Sequence, residues 1–184
     1  MKTKMKRLLS LCLALVLALG AIPVSGFAAE PAKDADQVYQ IGTAQDLLGF
    51  AKAVNSGSTA IKGKLTADID LSALSDWPGI GTGAKPFAGS LDGQNHTVTF
   101  KDADVGLFGY IMGSQSSPAT VKNVITAGSI QNSGFAVSAG YAHFTMCINR
   151  ATIVHSGSRV AGLVGTVSGT SNAGRLMSDV LFTY

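Results

Sequence analysis

Hydrophobic residues follow two different periods along this chain. Between Thr43 and Asn55 the spacing is helical: Leu47, Leu48, Phe50, Ala51 and Val54 fall on one stripe. Thr43 suits an N-cap, and Asp46 stands at the third helical position, where its charge meets the positive end of the helix dipole. Asn55-Ser56-Gly57 supplies the stop. The pattern predicts one helix over about 43–56, with a single apolar face that must lie on something.

Beyond Gly57 the period is two. Leu65, Ala67, Ile69 and Leu71 alternate with Thr66, Asp68, Asp70 and Ser72, as in a half-buried strand. Trp77-Pro78 and residues 79–83 break the chain, and Asp92-Gly93-Gln94-Asn95 is a turn signal. Val98 and Phe100 alternate with Thr97 and Thr99, and residues 106–111, 121–130, 146–154 and 176–184 read as further strand units. Short strands, 22 glycines and a charged fraction of 14% fit an all-β body.

A repeat chooses among the all-β architectures. Gly106-Leu107-Phe108-Gly109 returns as Gly162-Leu163-Val164-Gly165, and Gly140-Tyr141-Ala142-His143 reads as a degenerate copy between them. The 22 residues from Gly140 to Gly162 are close to one coil of a β-helix. The 34 from Gly106 to Gly140 fit one coil carrying residues 113–118 as an inserted loop. The expectation is a β-helix solenoid over residues 38–184, whose coils complete their core only by stacking. The 43–56 helix would cover the open lower coil, where bare strand edges invite aggregation.

The first residues belong to export rather than to the fold. Lys2, Lys4, Lys6 and Arg7 precede an apolar run over 8–19, and small residues follow at Gly26, Ala28 and Ala29. Residues 1–29 therefore read as a secretory signal peptide. The run of 12 residues is short of the roughly 20 needed to span a bilayer. Residues 30–37 are polar, carry Pro31 and lack a period, which predicts a flexible lead-in. Without the leader, ten basic residues face eleven acidic ones, a net charge of −1. No basic patch then remains to argue for nucleic acid or for a membrane surface, and no membrane insertion is expected after cleavage. Only Cys147 remains after processing, so an internal disulfide is excluded and packing must hold the domain. Within Met146-Cys147-Ile148 it reads as a buried small hydrophobe, and strand alternation does not single out His143 as its partner.

Candidate chemistry is sparse. Asp68 and Asp70 project from one strand face and could bind calcium or act as acid and base. Two carboxylates are too few for calcium, and a solvated outer face accounts for them. His96, in the 92–96 turn, has no partners of a triad or ligand set. Asn95-His96-Thr97 matches a glycosylation sequon by spelling alone. Residues 79–83 lack the lysine-serine pair and following helix of a phosphate loop. Asn123 and Asn149 are expected to stack as an amide ladder at a corner of successive coils. Trp77 and Tyr110 are the aromatics best placed to stack on sugars, if exposed, with Tyr141 next. No catalytic, cofactor-binding or metal-binding residue is assigned, and no cofactor is expected.

The blocks Ile41-Gly42-Thr43-Ala44-Gln45-Asp46-Leu47, Asn55-Ser56-Gly57, Leu65-Thr66-Ala67-Asp68-Ile69-Asp70-Leu71, Trp77-Pro78-Gly79-Ile80-Gly81 and residues 87–98, in that order, resemble the N-terminal part of secreted bacterial proteins with so-called GLUG repeats. Residues 106–109 and 162–165 match the namesake motif. The resemblance implies a right-handed parallel β-helix at the bacterial cell surface, active in adhesion or carbohydrate contact. Related repeats accompany metallopeptidases with a His-Glu-x-x-His motif. That motif is missing here, since the three histidines are His96, His143 and His155. Tyr141 and His143 depart from the motif, and the chain stops at Tyr184 inside a strand pattern, which suggests a C-terminally truncated solenoid. The expected function is non-enzymatic: adhesion or glycan binding, with host or cell-wall glycans, surface proteins and further repeats of a longer protein as partners. The alternatives are a polysaccharide lyase or hydrolase on the same fold, and a structural spacer in a larger surface protein.

Overall fold

Every ladder between named strands in this protein is parallel. The computed structural model describes residues 29–154 and 162–167. Three sheets run up the molecule. Sheet A stacks β1 (Val38–Ile41), β2 (Lys62–Leu65), β4 (Ser90–Asp92), β7 (Ala119–Lys122) and β10 (Ala142–Thr145). Sheet B stacks β3 (Ile69–Asp70), β5 (Thr97–Ala103), β8 (Ile125–Ile130) and β11 (Ile148–Asn149), with β12 (Thr152–Ile153) also on β8. Sheet C stacks β6 (Phe108–Met112), β9 (Ala136–Gly140) and β13 (Val164–Val167). Ile80 and Phe87 extend it downwards by parallel bridges to Phe108 and Ile111. The chain visits A, B and C in turn, so the architecture is the expected all-β parallel β-helix.

The helix forms where its pattern placed it. In α1 (Ala44–Ser56) the Thr43 hydroxyl accepts from the Asp46 N–H at 3.1 Å, and the Asp46 carboxylate accepts from the Gly42 N–H at 3.2 Å. That reciprocal arrangement satisfies amides that the first turn leaves bare. Gly57 closes the helix at φ 125°. Leu47, Phe50, Ala51 and Val54 are buried beneath it. The helix follows β1 directly and takes the place that B and C strands would fill in a lowest coil. Asn55 completes the substitution. Its amide donates to the Gly79 carbonyl at 3.1 Å and accepts from the Gly81 N–H at 2.8 Å, as a neighbouring strand would.

Register corrects the repeat. Ile80, Phe108, Ala136 and Val164 stack in sheet C at even intervals along the sequence. The middle copy of the glycine motif is therefore Gly134-Phe135-Ala136-Val137, and not 140–143, which lies at the corner from sheet C to sheet A. A Cβ on Gly106 would run into the Gly134 carbonyl oxygen and one on Gly109 into the Gly81 carbonyl oxygen, so both ends of this copy need glycine. In sheet A the intervals are uneven. Lys62, Ser90, Thr120 and His143 share one register, and the step from Thr120 to His143 is the shortest. Residues 113–118 do form an inserted loop, since one residue, Tyr141, serves at the same corner one coil higher.

Corners also divide three expected strands. The unit at 65–71 splits into β2 and β3, that at 121–130 into β7 and β8, and that at 146–154 into β11 and β12. Alternation runs on through the 66–68 corner, and the change of parity at Asn123 is a single position, so a period of two does not reveal the bends. The lead-in at 30–37 is ordered rather than flexible. Pro31 is buried, Gln40 N–H donates to the Ala32 carbonyl, and Asp34 accepts from the Val38 N–H and the Gln40 amide. The expected strand at 176–184 and all of the leader before Ala29 lie outside the described residues.

The core holds a column of aromatic rings. Tyr39, Phe50, Phe87, Phe108, Phe135 and Phe144 follow one another at centroid distances of 5.6, 6.0, 5.5, 5.7 and 6.0 Å. Tyr39 and Phe50 share the lowest coil and each later ring comes from the next coil up, and five of the six are fully buried phenylalanines. Edge-on and tilted ring pairs of this kind add roughly 0.5–1.5 kcal/mol each beyond their buried area.

Candidate functional site

The outer faces of the sheets decide what this protein can touch. On sheet C the outward column is Tyr110, Ser138 and Thr166, in register on three adjacent strands. Tyr110 is 41% exposed, and its ring lies about 3.8 Å from where a Cβ on Gly83 would stand. A groove of about 320 Å³ opens beside the ring, walled by Asn132, Ser133, Val137, Ser138 and Thr166. Among the described residues its polar groups are hydroxyls and one amide, and none of the lining side chains is charged. Three strands at about 4.8 Å spacing give it a length of roughly 10 Å. An exposed ring beside neutral donors and acceptors suits a polar, uncharged ligand with an apolar face.

The other two aromatics behave differently. Trp77 is only 7% exposed, its indole N–H donates to the Gly106 carbonyl at 2.8 Å, and its ring packs against Phe100. It ties the first coil to the glycine motif of the second and offers nothing to a ligand. Tyr141 is half-buried at a corner with φ 45°. Sequence reasoning could not separate the three, because exposure depends on which coil covers which.

Of the carboxylates named in the sequence, Asp68 joins coils and Asp70 serves its own turn. Asp68 accepts from the Thr97 N–H at 2.8 Å and faces the His96 ring nitrogen at 3.2 Å. The Thr97 N–H and then His96 hold its carboxyl below the usual range. Asp70 accepts from the Ser72 N–H, which lowers it too. The two acids therefore serve neighbouring backbone amides, and His96 belongs to the same joint. Asp92 is partly buried, which opposes ionisation. The Gln94 N–H, the Asn123 amide and Lys122 outweigh that burial and hold it low.

The expected amide ladder does not form. Asn149 is in register with Thr126, not with Asn123. It turns inward, where its carbonyl oxygen accepts from the Thr126 hydroxyl at 2.8 Å and its amide donates to the Gly162 carbonyl. Asn123 sits at a left-handed corner with φ 54° and binds Asp92 instead. Two coils of unequal length bring different residues to the corner, and counting along the sequence cannot show that.

Cys147 is buried as expected. Burial pushes its thiol up to about 11, and it donates to the Val121 carbonyl. His143 points outward on the opposite side of its strand. Residues 79–83 form a bend rather than a phosphate cradle: Gly81 has φ 83°, and a Cβ there would run into the Tyr110 carbonyl oxygen. Among the described residues no group of three or more His, Cys, Asp or Glu side chains is placed to hold a metal ion. No helix of the described residues is long and apolar enough to cross a membrane. No family model, no curated protein and no solved structure matches this chain.

Proposed function

We propose that this chain is an exported, non-enzymatic β-helix module that binds glycans at a cell surface. The observation that carries the reading is the groove beside Tyr110. It pairs an exposed ring with uncharged hydroxyl and amide groups, the combination that accepts the apolar face and the hydroxyl rim of a neutral sugar. Parallel strands hold the groove rigidly, so little ordering cost opposes binding. The basic and apolar leader pattern supports export, and the resemblance to GLUG-repeat surface proteins supports a place at the cell surface. Asp68 is engaged by a backbone amide of the next coil and Asp70 by the Ser72 amide of its own turn, which favours binding over catalysis.

The test is titration of the secreted chain against neutral oligosaccharides on a glycan array, followed by calorimetry on any hit. Tyr110→Ala should weaken binding about tenfold or more while leaving the melting temperature unchanged, because the side chain is exposed. A wild-type chain that ignores every neutral glycan, or a Tyr110→Ala variant that binds them equally well, would sink the proposal. Release of reducing or unsaturated ends from a polysaccharide would instead favour an enzyme.

A further inference from the structure

Sheet A presents a second outer face, and this one is charged. Its outward positions on β2, β4 and β7 are Lys62 and Lys64, Ser90 and Asp92, Thr120 and Lys122. Lys62, Ser90 and Thr120 are in register, and so are Lys64, Asp92 and Lys122. The short side chains of Ser90 and Thr120 leave a depression of about 250 Å³ between the three lysines. Lys62 and Lys64 are far from Lys122 in the sequence and come from different coils. The chain therefore shows no basic run, although the coils gather a basic cluster.

The local charges do not cancel. Lys64 pairs with Asp34 at 3.4 Å and Lys122 with Asp92 at 3.0 Å. Lys62 is exposed and has no ion pair among the described residues. Three ammonium groups against two carboxylates leave one net positive charge over the depression. Both carboxylates are also held by backbone amides, Asp34 by Val38 and Asp92 by Gln94, so they position the lysines without closing the depression.

We propose that the outer face of sheet A binds an acidic polysaccharide, seating one anionic group between Lys62, Lys64 and Lys122 with the Ser90 and Thr120 hydroxyls as neutral donors. The hydroxyls suit a sugar-borne anion, whereas among the described residues no aromatic lines the depression to stack a base. One net charge makes the contact weak and salt-sensitive, which suits a polymer that offers the same group repeatedly. The site lies on a different sheet from the Tyr110 groove, so it stands or falls separately from the neutral-glycan reading.

The test titrates the secreted full chain with polygalacturonate, dextran sulfate and neutral dextran. Binding to one or both acidic polymers at about 0.01 M salt should be lost at about 1 M, where the Debye length shrinks to roughly 3 Å. Lys62→Glu should weaken it about tenfold or more, and Lys62→Gln less, with melting unchanged. Tyr110→Ala should leave it intact. Polygalacturonate alone would identify a carboxylate site, dextran sulfate alone a sulfate site, and both a general anion site. Failure to bind either acidic polymer at low salt, equal binding by Lys62→Glu, or tighter binding of a single-stranded oligonucleotide than of both polymers would overturn the proposal.

Discussion

The lower and upper coils share one backbone plan and differ in filling. Up the inward column of sheet B the residues run Ile69, Val98, Thr126, Asn149. Up sheet C they run Ile80, Phe108, Ala136, Val164. Branched and aromatic side chains fill the lower coils, while higher up Thr126, Asn149 and Ala136 put a hydroxyl, an amide and a methyl group in the same places and only Val164 keeps a branched chain. The lower end is also closed by α1 and clamped by Asn55. Three of the four large exposed hydrophobic residues among those described, Met146, Val154 and Val167, lie in the uppermost coil. Parallel ladders and glycine bends are enough to make a coil, but the contents of the coil grade its stability.

The largest effect should come from Phe108→Ala, which removes a ring flanked at 5.5 and 5.7 Å by Phe87 and Phe135. It should cost about 3–5 kcal/mol in denaturant unfolding. Phe144, with a described ring neighbour on one side only, should cost less, and an equal cost would contradict a graded stack. Asn55→Ala leaves the Gly79 carbonyl and the Gly81 N–H without their partner. It should lower global stability by about 1–3 kcal/mol.

Thr126→Val removes the donor to Asn149, at a cost of about 1 kcal/mol. That loss should appear as faster modification of Cys147 rather than in global unfolding. With its thiol pushed up to about 11, Cys147 meets a thiol reagent only when the upper coil opens. Met146 occupies a left-handed corner at φ 52°, one coil above Asn123 at φ 54°. Met146→Asn should therefore stabilise the upper coil by about 0.5–1 kcal/mol, read as slower Cys147 modification.

The smallest effect is electrostatic. Asp68 and Asp70 sit below their ordinary 3.8 in the folded state. Folding is favoured while both stay ionised, so that advantage is present above the ordinary value and drains away as pH falls through the lower folded values. Asp68→Asn should flatten the acid limb of a stability–pH profile, and an unchanged limb would mean that the Asp68 joint between lower coils contributes nothing measurable.

Much of the plan was readable along the chain. The helix from Thr43 to Gly57 could be read to within a residue, since its cap, stripe and stop are local. The recurrence of Gly106-Leu107-Phe108-Gly109 at Gly162 announced a solenoid. The middle copy was misplaced because Gly134-Phe135-Ala136-Val137 keeps the spacing but loses the final glycine, whereas Gly140 looks right and stands elsewhere. The candidate sites were less legible. Tyr110 was named level with Trp77 and ahead of Tyr141, with nothing to tell which of them is exposed. The Lys62, Lys64 and Lys122 cluster was invisible.

The residues alone specified which segments coil, bend or face inward, because helix caps, glycine bends and two-residue alternation act over a few positions. Stacking decided the rest: which rings meet in the core column, which asparagine turns inward, and which lysines share a face. Those outcomes depend on register between segments a whole coil apart in sequence, as between Lys62 and Ser90 or Thr120 and His143. One corner longer or shorter shifts every partner above it.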